Sequence, residues 1–315
     1  MLQVPLRLEW DLPEREEDII FSGKKIISSG IFQLAVRGEF EGKEKSTGFI
    51  LSEAKSRGVK VFLFLEGECP AFLLEPGTQA LVECFVFGPE ILTGGFNGQK
   101  PPAVSKEKKA ASVFVTKSNF EDIIYMIDNA VDMSFGRFII NNFNSWKCEK
   151  DNIVFKVEKE RLENFRNITA IKIKYWEKNI ELVIRDFFIS SIFYPERDTS
   201  APAKGVYNGC QAGSAVAYVR RDGRVYGCSS IDVELGDLNK ESFREIWKNK
   251  AENLRNQVSM LPEECIPCRL VNWCQGGCRG RSYFYEGNFK SPDPMCLKRV
   301  TKNSKIESQN CCVIS

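Results

Sequence analysis

Residues 265–278 read Cys265-Ile266-Pro267-Cys268-Arg269-Leu270-Val271-Asn272-Trp273-Cys274-Gln275-Gly276-Gly277-Cys278, which is C-x2-C-x5-C-x3-C. A tight loop brings neighbouring sulfurs at such intervals within a few ångströms of one another. A cysteine used only as a small apolar residue has no reason to keep that rhythm. Working outward, Cys210 and Cys228 bracket Gly223 as C-x12-G-x4-C upstream, and Cys296 follows downstream. These seven cysteines are too many for one four-coordinate metal site. Residues 265–296 are expected to hold little regular structure, with metal ligation in place of a hydrophobic core.

The 315 residues suffice for one large domain and a smaller one. A content of 43% hydrophobic and 27% charged residues is that of an ordinary globular protein, and a net charge of +2 gives no reason to expect nucleic acid as a partner. The basic run Lys106, Lys108 and Lys109 is broken by Glu107 and reads as a solvated loop. The chain contains no histidine, which excludes Ser-His-Asp and Cys-His catalysis, the HExxH zinc helix and mixed Cys/His zinc sites. The first residues, MLQVPLRLEWDLPEREED, show no basic segment followed by an apolar one, and no apolar run is long enough to span a bilayer. A cytoplasmic, reducing location is therefore expected, where cysteine clusters mean metal more often than disulfides. The terminal Cys312-Val313-Ile314-Ser315 fits a prenylation pattern, but four loosely defined residues match by chance.

Residues 1–195 alternate between strand and helix patterns. Strands are expected at Val4–Leu8, Ile31–Val36, Val59–Leu65, Leu81–Phe87, Ala111–Val115, Phe138–Ile140 and Ile180–Ile184. The run VKVFLFL is apolar throughout, as in a parallel strand buried on both faces. Helices are expected over 11–29, 41–57, 72–78 and 162–175, with another that opens on a Ser118/Glu121 capping box and runs to Met133. Such β-α succession implies a parallel sheet with right-handed crossovers, in a partial TIM-type barrel or an open doubly wound sheet. Residues 195–205 read as a linker. Beyond it, Arg221-Asp222-Gly223 marks a hairpin and Ser242–Lys250 a short helix.

The cysteine pattern resembles the SPASM domain, the C-terminal extension of many radical SAM peptide-modifying enzymes. The Arg221-Asp222-Gly223 turn, Glu245-Ile246-Trp247 and Gly276-Gly277-Cys278 are similar to that family as well. The resemblance covers about residues 205–300. It implies two auxiliary [4Fe–4S] clusters, one held by Cys210, Cys228 and Cys278 and the other by Cys265, Cys268, Cys274 and Cys296. Ala201 to Gly209 holds no cysteine, where some family members carry one more. The last iron of the first cluster is thus left to an oxygen ligand, a substrate group, or a thiol from Cys311 or Cys312.

The N-terminal part resembles a radical SAM barrel without its catalytic loop. In that family the first strand leads to C-x3-C-x2-C, whose cluster binds and cleaves S-adenosylmethionine; here it leads to Glu9-Trp10-Asp11-Leu12-Pro13, and the first cysteine of the chain is Cys69. The family's Gly-Gly-Glu is represented by Arg37-Gly38-Glu39, and Glu66-Gly67-Glu68 follows the third strand. Cys69, Cys84 and Cys148 are too widely spaced to replace the missing motif. Cys84 lies in an apolar strand and is expected in the core. Glu39, Glu66 and Glu68 are expected near one barrel face, in a solvated loop or in acid–base work.

The expected architecture is a radical SAM-like β/α barrel over 1–195, a Cys-rich SPASM domain over 205–300 and a tail over 301–315. The resemblance implies a non-catalytic companion of a radical SAM enzyme, in a peptide-maturation system of the GeoRSP type, with a precursor peptide as a second partner. S-adenosylmethionine is not expected as a cofactor, and neither nucleic acid nor membrane as a partner. Two alternatives stand beside this: a stand-alone enzyme working at an open cluster iron, and a zinc-binding interaction module. No catalytic residue is assigned.

Overall fold

The computed structural model describes residues 4–93, 103–146, 149, 152, 157–194, 209–268 and 270–296. Seven β-α repeats open the chain. The strands are β1 (Arg7–Asp11), β2 (Gln33–Gly38), β3 (Lys60–Leu65), β4 (Cys84–Phe87), β5 (Lys109–Phe114), β6 (Arg137–Asn141) and β7 (Glu181–Ile184). Between and after them lie α1 (Glu16–Ile27), α2 (Glu44–Ser56), α3 (Pro76–Leu81), α4 (Glu90–Thr93), α5 (Ile123–Asp132), α6 (Lys159–Asn179) and α7 (Phe187–Phe193). All seven strands pair in parallel with their sequence neighbours. The C-terminal part adds β8 (Val216–Val219), β9 (Arg224–Tyr226), β10 (Glu234–Asp237), α8 (Phe243–Ser259), α9 (Val271–Cys274) and α10 (Arg279–Glu286).

One sheet of ten strands results, in the order β10-β9-β8-β1-β2-β3-β4-β5-β6-β7. β8 lies parallel to β1, and β9 and β10 follow as antiparallel hairpin strands, so the cysteine-rich part is joined to the barrel by backbone hydrogen bonds. Among the described residues the sheet ends at β10 and β7, and these two edges do not pair. It is a partial barrel with a seam.

Strand periodicity sorts the side chains. Leu8, Trp10, Leu34, Val36, Val61, Leu63, Phe85, Val113 and Phe138 form the layer beneath the helices. Ala35, Phe64, Cys84, Val86, Ala110 and Ile139 form a smaller apolar cluster on the opposite, lumen-facing side.

Several boundaries differ from the expectation. The first strand is Arg7–Asp11, not Val4–Leu8: Glu9 and Asp11 look like loop residues in the sequence, but in the barrel they face a lumen that supplies arginine partners. The Ser118/Glu121 capping box does not form. Ser118 Oγ bonds Thr116 Oγ1 at 3.0 Å, Glu121 pairs with Arg161, and α5 begins at Ile123. Helix α8 runs past Lys250 to Ser259, because Ala251, Leu254 and Val258 continue its buried face. α7, β10 and α10 were not anticipated; α10 places regular structure inside the cysteine-rich stretch. The 195–205 linker, Cys148, Cys311 and Cys312 lie outside the described residues.

Candidate metal centres and the barrel lumen

The seven cysteines fall into two groups. Cys210 lies just before β8, Cys228 just after β9, and Cys278 caps α10 by accepting a hydrogen bond from Arg281 N at 3.3 Å. All three line one cavity of about 590 Å³ that extends into the barrel seam. Cys265, Cys268, Cys274 and Cys296 line a second, mainly apolar hollow walled by Phe187, Phe188, Val271, Pro292 and Met295. Among the described residues no three Cys, Asp or Glu side chains converge tightly enough to hold a single metal ion; the thiols stand around the walls of the two hollows.

Local backbone geometry explains why Cys278 leaves its sequence neighbours. Gln275, Gly276 and Gly277 all adopt positive φ, at 46°, 81° and 77°. Successive left-handed residues turn the chain sharply, and two of the three being glycine keeps the strain low. The turn is held by Arg279, which is fully buried and donates from Nη1 to the carbonyls of Phe289 and Ser291, each at 3.0 Å, and from Nη2 to the Gly276 carbonyl. Gly280 then lets α10 touch the Cys228 turn: a Cβ there would stand 2.5 Å from the Ser230 carbonyl oxygen.

Burial dominates the thiol electrostatics. It pushes Cys278 up to about 12, against the opposing pull of Arg281 and with further contributions from Asp293 and then Cys210. Burial and then the neighbouring Cys210 and Cys278 push Cys228 well above the usual thiol range. Cys274 is raised by burial, and then by Asp293, Cys296 and Cys265. Thiolates packed this way are stable only beside positive charge, which a bound metal supplies. The donor chemistry therefore fits sulfur ligation of an iron–sulfur cluster.

A buried ionic network separates the two groups. Arg281 donates to Asp186 at 2.8 Å and to both oxygens of Asp293 at 2.7 and 2.8 Å. Asp293 also accepts from the backbone N–H groups of Cys278 and Met295, at 2.8 and 2.9 Å. Burial alone would disfavour the Arg281 cation, but the two carboxylates outweigh it. Asp186 caps α7 through Ile189 N, so the network links the barrel to the cysteine-rich region.

Sequence reasoning missed the lumen. Arg7 and Glu9 share one face of β1, Arg37 is the next-to-last residue of β2 and Arg185 follows β7; all four line the 590 Å³ cavity with Cys210, Cys228 and Cys278. Burial would raise the Glu9 carboxyl, but Arg7, Arg37 and Arg185, with a hydrogen bond from Ser229, hold it down at about 2. A signal existed in Arg37, which replaces a family glycine. Of the other residues singled out, Cys84 is fully buried in the inner apolar cluster, and burial pushes it to about 11. Cys69 is half-buried against the main core. Glu39 is exposed, and Glu66 meets Arg221 at 3.5 Å.

Residues 210–269 match SPASM, an iron–sulfur cluster-binding domain. That SPASM match takes in Cys210, Cys228, Cys265 and Cys268. Segments of two AdoMet-dependent heme synthases are also similar, 33% identical over 96 residues in Methanosarcina barkeri and 32% over 91 residues in Nitratidesulfovibrio vulgaris. These segments span 30% and 28% of this chain and about a quarter of those proteins, at 27% and 24%. The whole fold is similar to Streptococcus suis SuiB, at a TM-score of 0.65 and 16% identity, covering 94% of this chain and 78% of SuiB. It is also similar to anSMEcpe, solved with bound AdoMet and the Cp18Cys peptide, at a TM-score of 0.61 and 14% identity over 93% of this chain and 95% of that one. The fold class is that of a radical SAM-like partial barrel followed by a SPASM domain. No described helix is long and apolar enough to cross a membrane.

Proposed function

We propose that this chain is an iron–sulfur protein that assists a radical SAM enzyme in peptide maturation without itself cleaving S-adenosylmethionine. The observation that carries this reading is the contrast between the two ends of the fold. The β1–α1 connection is only Leu12-Pro13-Glu14-Arg15, shorter than the eight-residue C-x3-C-x2-C motif and free of cysteine. At the other end, seven thiols line two hollows. Cys210, Cys228 and Cys278 would hold one [4Fe–4S] cluster and Cys265, Cys268, Cys274 and Cys296 the other. Such clusters store and pass single electrons, at potentials set by burial and hydrogen bonding. The protein supplies buried walls, the Asp293–Arg281–Asp186 network between the groups, and a sheet that fixes the first group to the barrel. SuiB has been solved with its precursor peptide SuiA, which supports a peptide as a partner here.

Anaerobically purified protein should be brown, carry roughly eight iron and eight sulfide per chain, and co-purify with a radical SAM enzyme from its source. Colourless protein, or reductive cleavage of S-adenosylmethionine by this chain unaided, would overturn the reading. Zinc in place of iron would favour the interaction-module alternative. One observation favours a second reading. The three-thiol group opens onto a cavity within the ligand-sized range, so an iron there without a fourth cysteine could act on a substrate. Turnover of a small molecule or peptide without any partner would select that reading. Cys265→Ser should lose one cluster and loosen residues 260–296, whereas Cys84→Ser should keep its iron; equal behaviour would show that the ligands are wrongly assigned.

A further inference from the structure

The lumen charges go beyond what the cysteine groups require. Arg7 and Arg37 both lie against the ring of Phe64, their guanidinium carbons 5.7 and 5.2 Å from its centroid, and Arg37 also lies 6.0 Å from Phe114. Arg185 closes the same space from β7, with Nη1 donating to Asn141 Oδ1 at 2.9 Å. Two carboxylates face these three cations. Glu9 lies 3.3 Å from Arg7 and 3.8 Å from Arg185, and Asp11 lies 3.7 Å from Arg37. The remaining charged lining residue, Glu181, is taken by Arg137 at 2.7 Å. Apart from the thiols that line the same cavity, the arginines outnumber the carboxylates facing them by one. Donors are left over too: Nη2 of Arg7 is buried without a hydrogen-bond partner among the described residues, and Nη1 of Arg37, a residue only 7% exposed, faces Asp11 at 3.7 Å, beyond hydrogen-bond distance. An orphaned charged donor in a cavity is costly, and a guanidinium fork matches a carboxylate edge. Phe114, Phe143 and Val183 on the same walls provide apolar contact for an organic body.

We infer that the barrel lumen is a binding site for an organic carboxylate, its anionic group held by Arg7 and Arg37 and its apolar part lying against Phe114 and Phe143. The inference rests on the lumen and not on the clusters or on a partner enzyme, so iron analysis and co-purification test the previous reading separately. Calorimetric titration of the anaerobic full-length protein with 3-phenylpropionate should give saturable one-to-one binding. The uncharged 3-phenylpropanamide and inorganic phosphate should each bind about tenfold more weakly or worse, since each lacks one of the two recognised features. Arg37→Gln and Arg7→Gln should each weaken the carboxylate about tenfold without changing iron content. Arg57→Gln, in an exposed pair with Glu53 at the end of α2, should leave it unchanged. The inference is overturned if 3-phenylpropionate gives no saturable heat, if acid and amide bind alike, if phosphate binds more tightly, or if both lumen variants fold and bind as the parent does. Should either variant fail to fold, the comparison of acid with amide on the parent protein decides.

Discussion

Glu9 and Asp293 are carboxylates whose value lies in what they neutralise. Glu9 stays ionised at about 2 against an ordinary value of 4.5, because three arginines outweigh its burial. A depressed carboxyl stabilises the fold fully above its unfolded-state value and loses that contribution as pH falls through its folded-state value. The Glu9 contribution is therefore intact above about pH 4.5 and fades toward pH 2. Glu9→Gln should flatten the acid limb of a stability–pH curve and lower stability at neutral pH, where Arg7 and Arg185 lose a partner; parallel curves for the two proteins would refute this. Asp293 is the sharper case. Asp293→Ala strands Arg281 as a buried cation beside Asp186 alone and frees the backbone N–H of Cys278. A loss of about 3–5 kcal/mol is expected, read from thermal unfolding, with iron lost from both centres, since Asp293 lies between them. Neither role could be read from the sequence. Asp293 resembles an ordinary loop acid beside a proline, and its partners Asp186 and Arg281 are far from each other along the chain.

At the level of elements, α10 decides how the first cysteine group assembles. Its second residue, Gly280, meets the Ser230 carbonyl, so any side chain there must push the helix off the Cys228 turn. Gly280→Ala should cost about 1–3 kcal/mol by overpacking and lower iron by roughly half, because Cys278 moves from Cys210 and Cys228 while the other four cysteines keep their positions. Loss of all iron would mean that the two centres are not independently built. Helix α8 gives a contrasting, purely structural test. Ser242 and Glu245 form a complete capping box at its start, and Ser242→Ala should cost about 1 kcal/mol with metal content unchanged. The α8 start was legible because capping chemistry is local. The Ser118/Glu121 pair had the same sequence signature and failed because each side chain found another partner. A local motif predicts a helix start only where no tertiary partner competes for it.

For the whole molecule, metal and fold are expected to be coupled unevenly. The strands β2 to β5 are bound on both sides and covered by a continuous apolar layer, whereas residues 265–296 have few buried apolar side chains of their own. Removing metal with a chelator under reducing conditions should raise amide hydrogen exchange through 260–296 while β2 to β5 stay protected. Uniform deprotection would show instead that the barrel depends on the metal centres. The continuous sheet also means that the hairpin β8–β9, paired to β1, should stay protected with the barrel.

Cysteine spacing and β-α alternation were enough to imply a parallel sheet, sulfur ligation in the C-terminal third and the lack of a cysteine-bearing loop after the first strand, whereas the choice of a partial barrel over an open sheet came from the family resemblance. Each of the first three depends on residues close together in sequence, where spacing alone constrains geometry. Tertiary structure alone decided that the sheet leaves a seam, that the first three thiols line it, and that Arg7, Arg37 and Arg185 share that space with Glu9. Those residues come from strands that become neighbours only when the sheet curves, and a charge in a strand reveals its purpose only once the opposite wall of the lumen is in place.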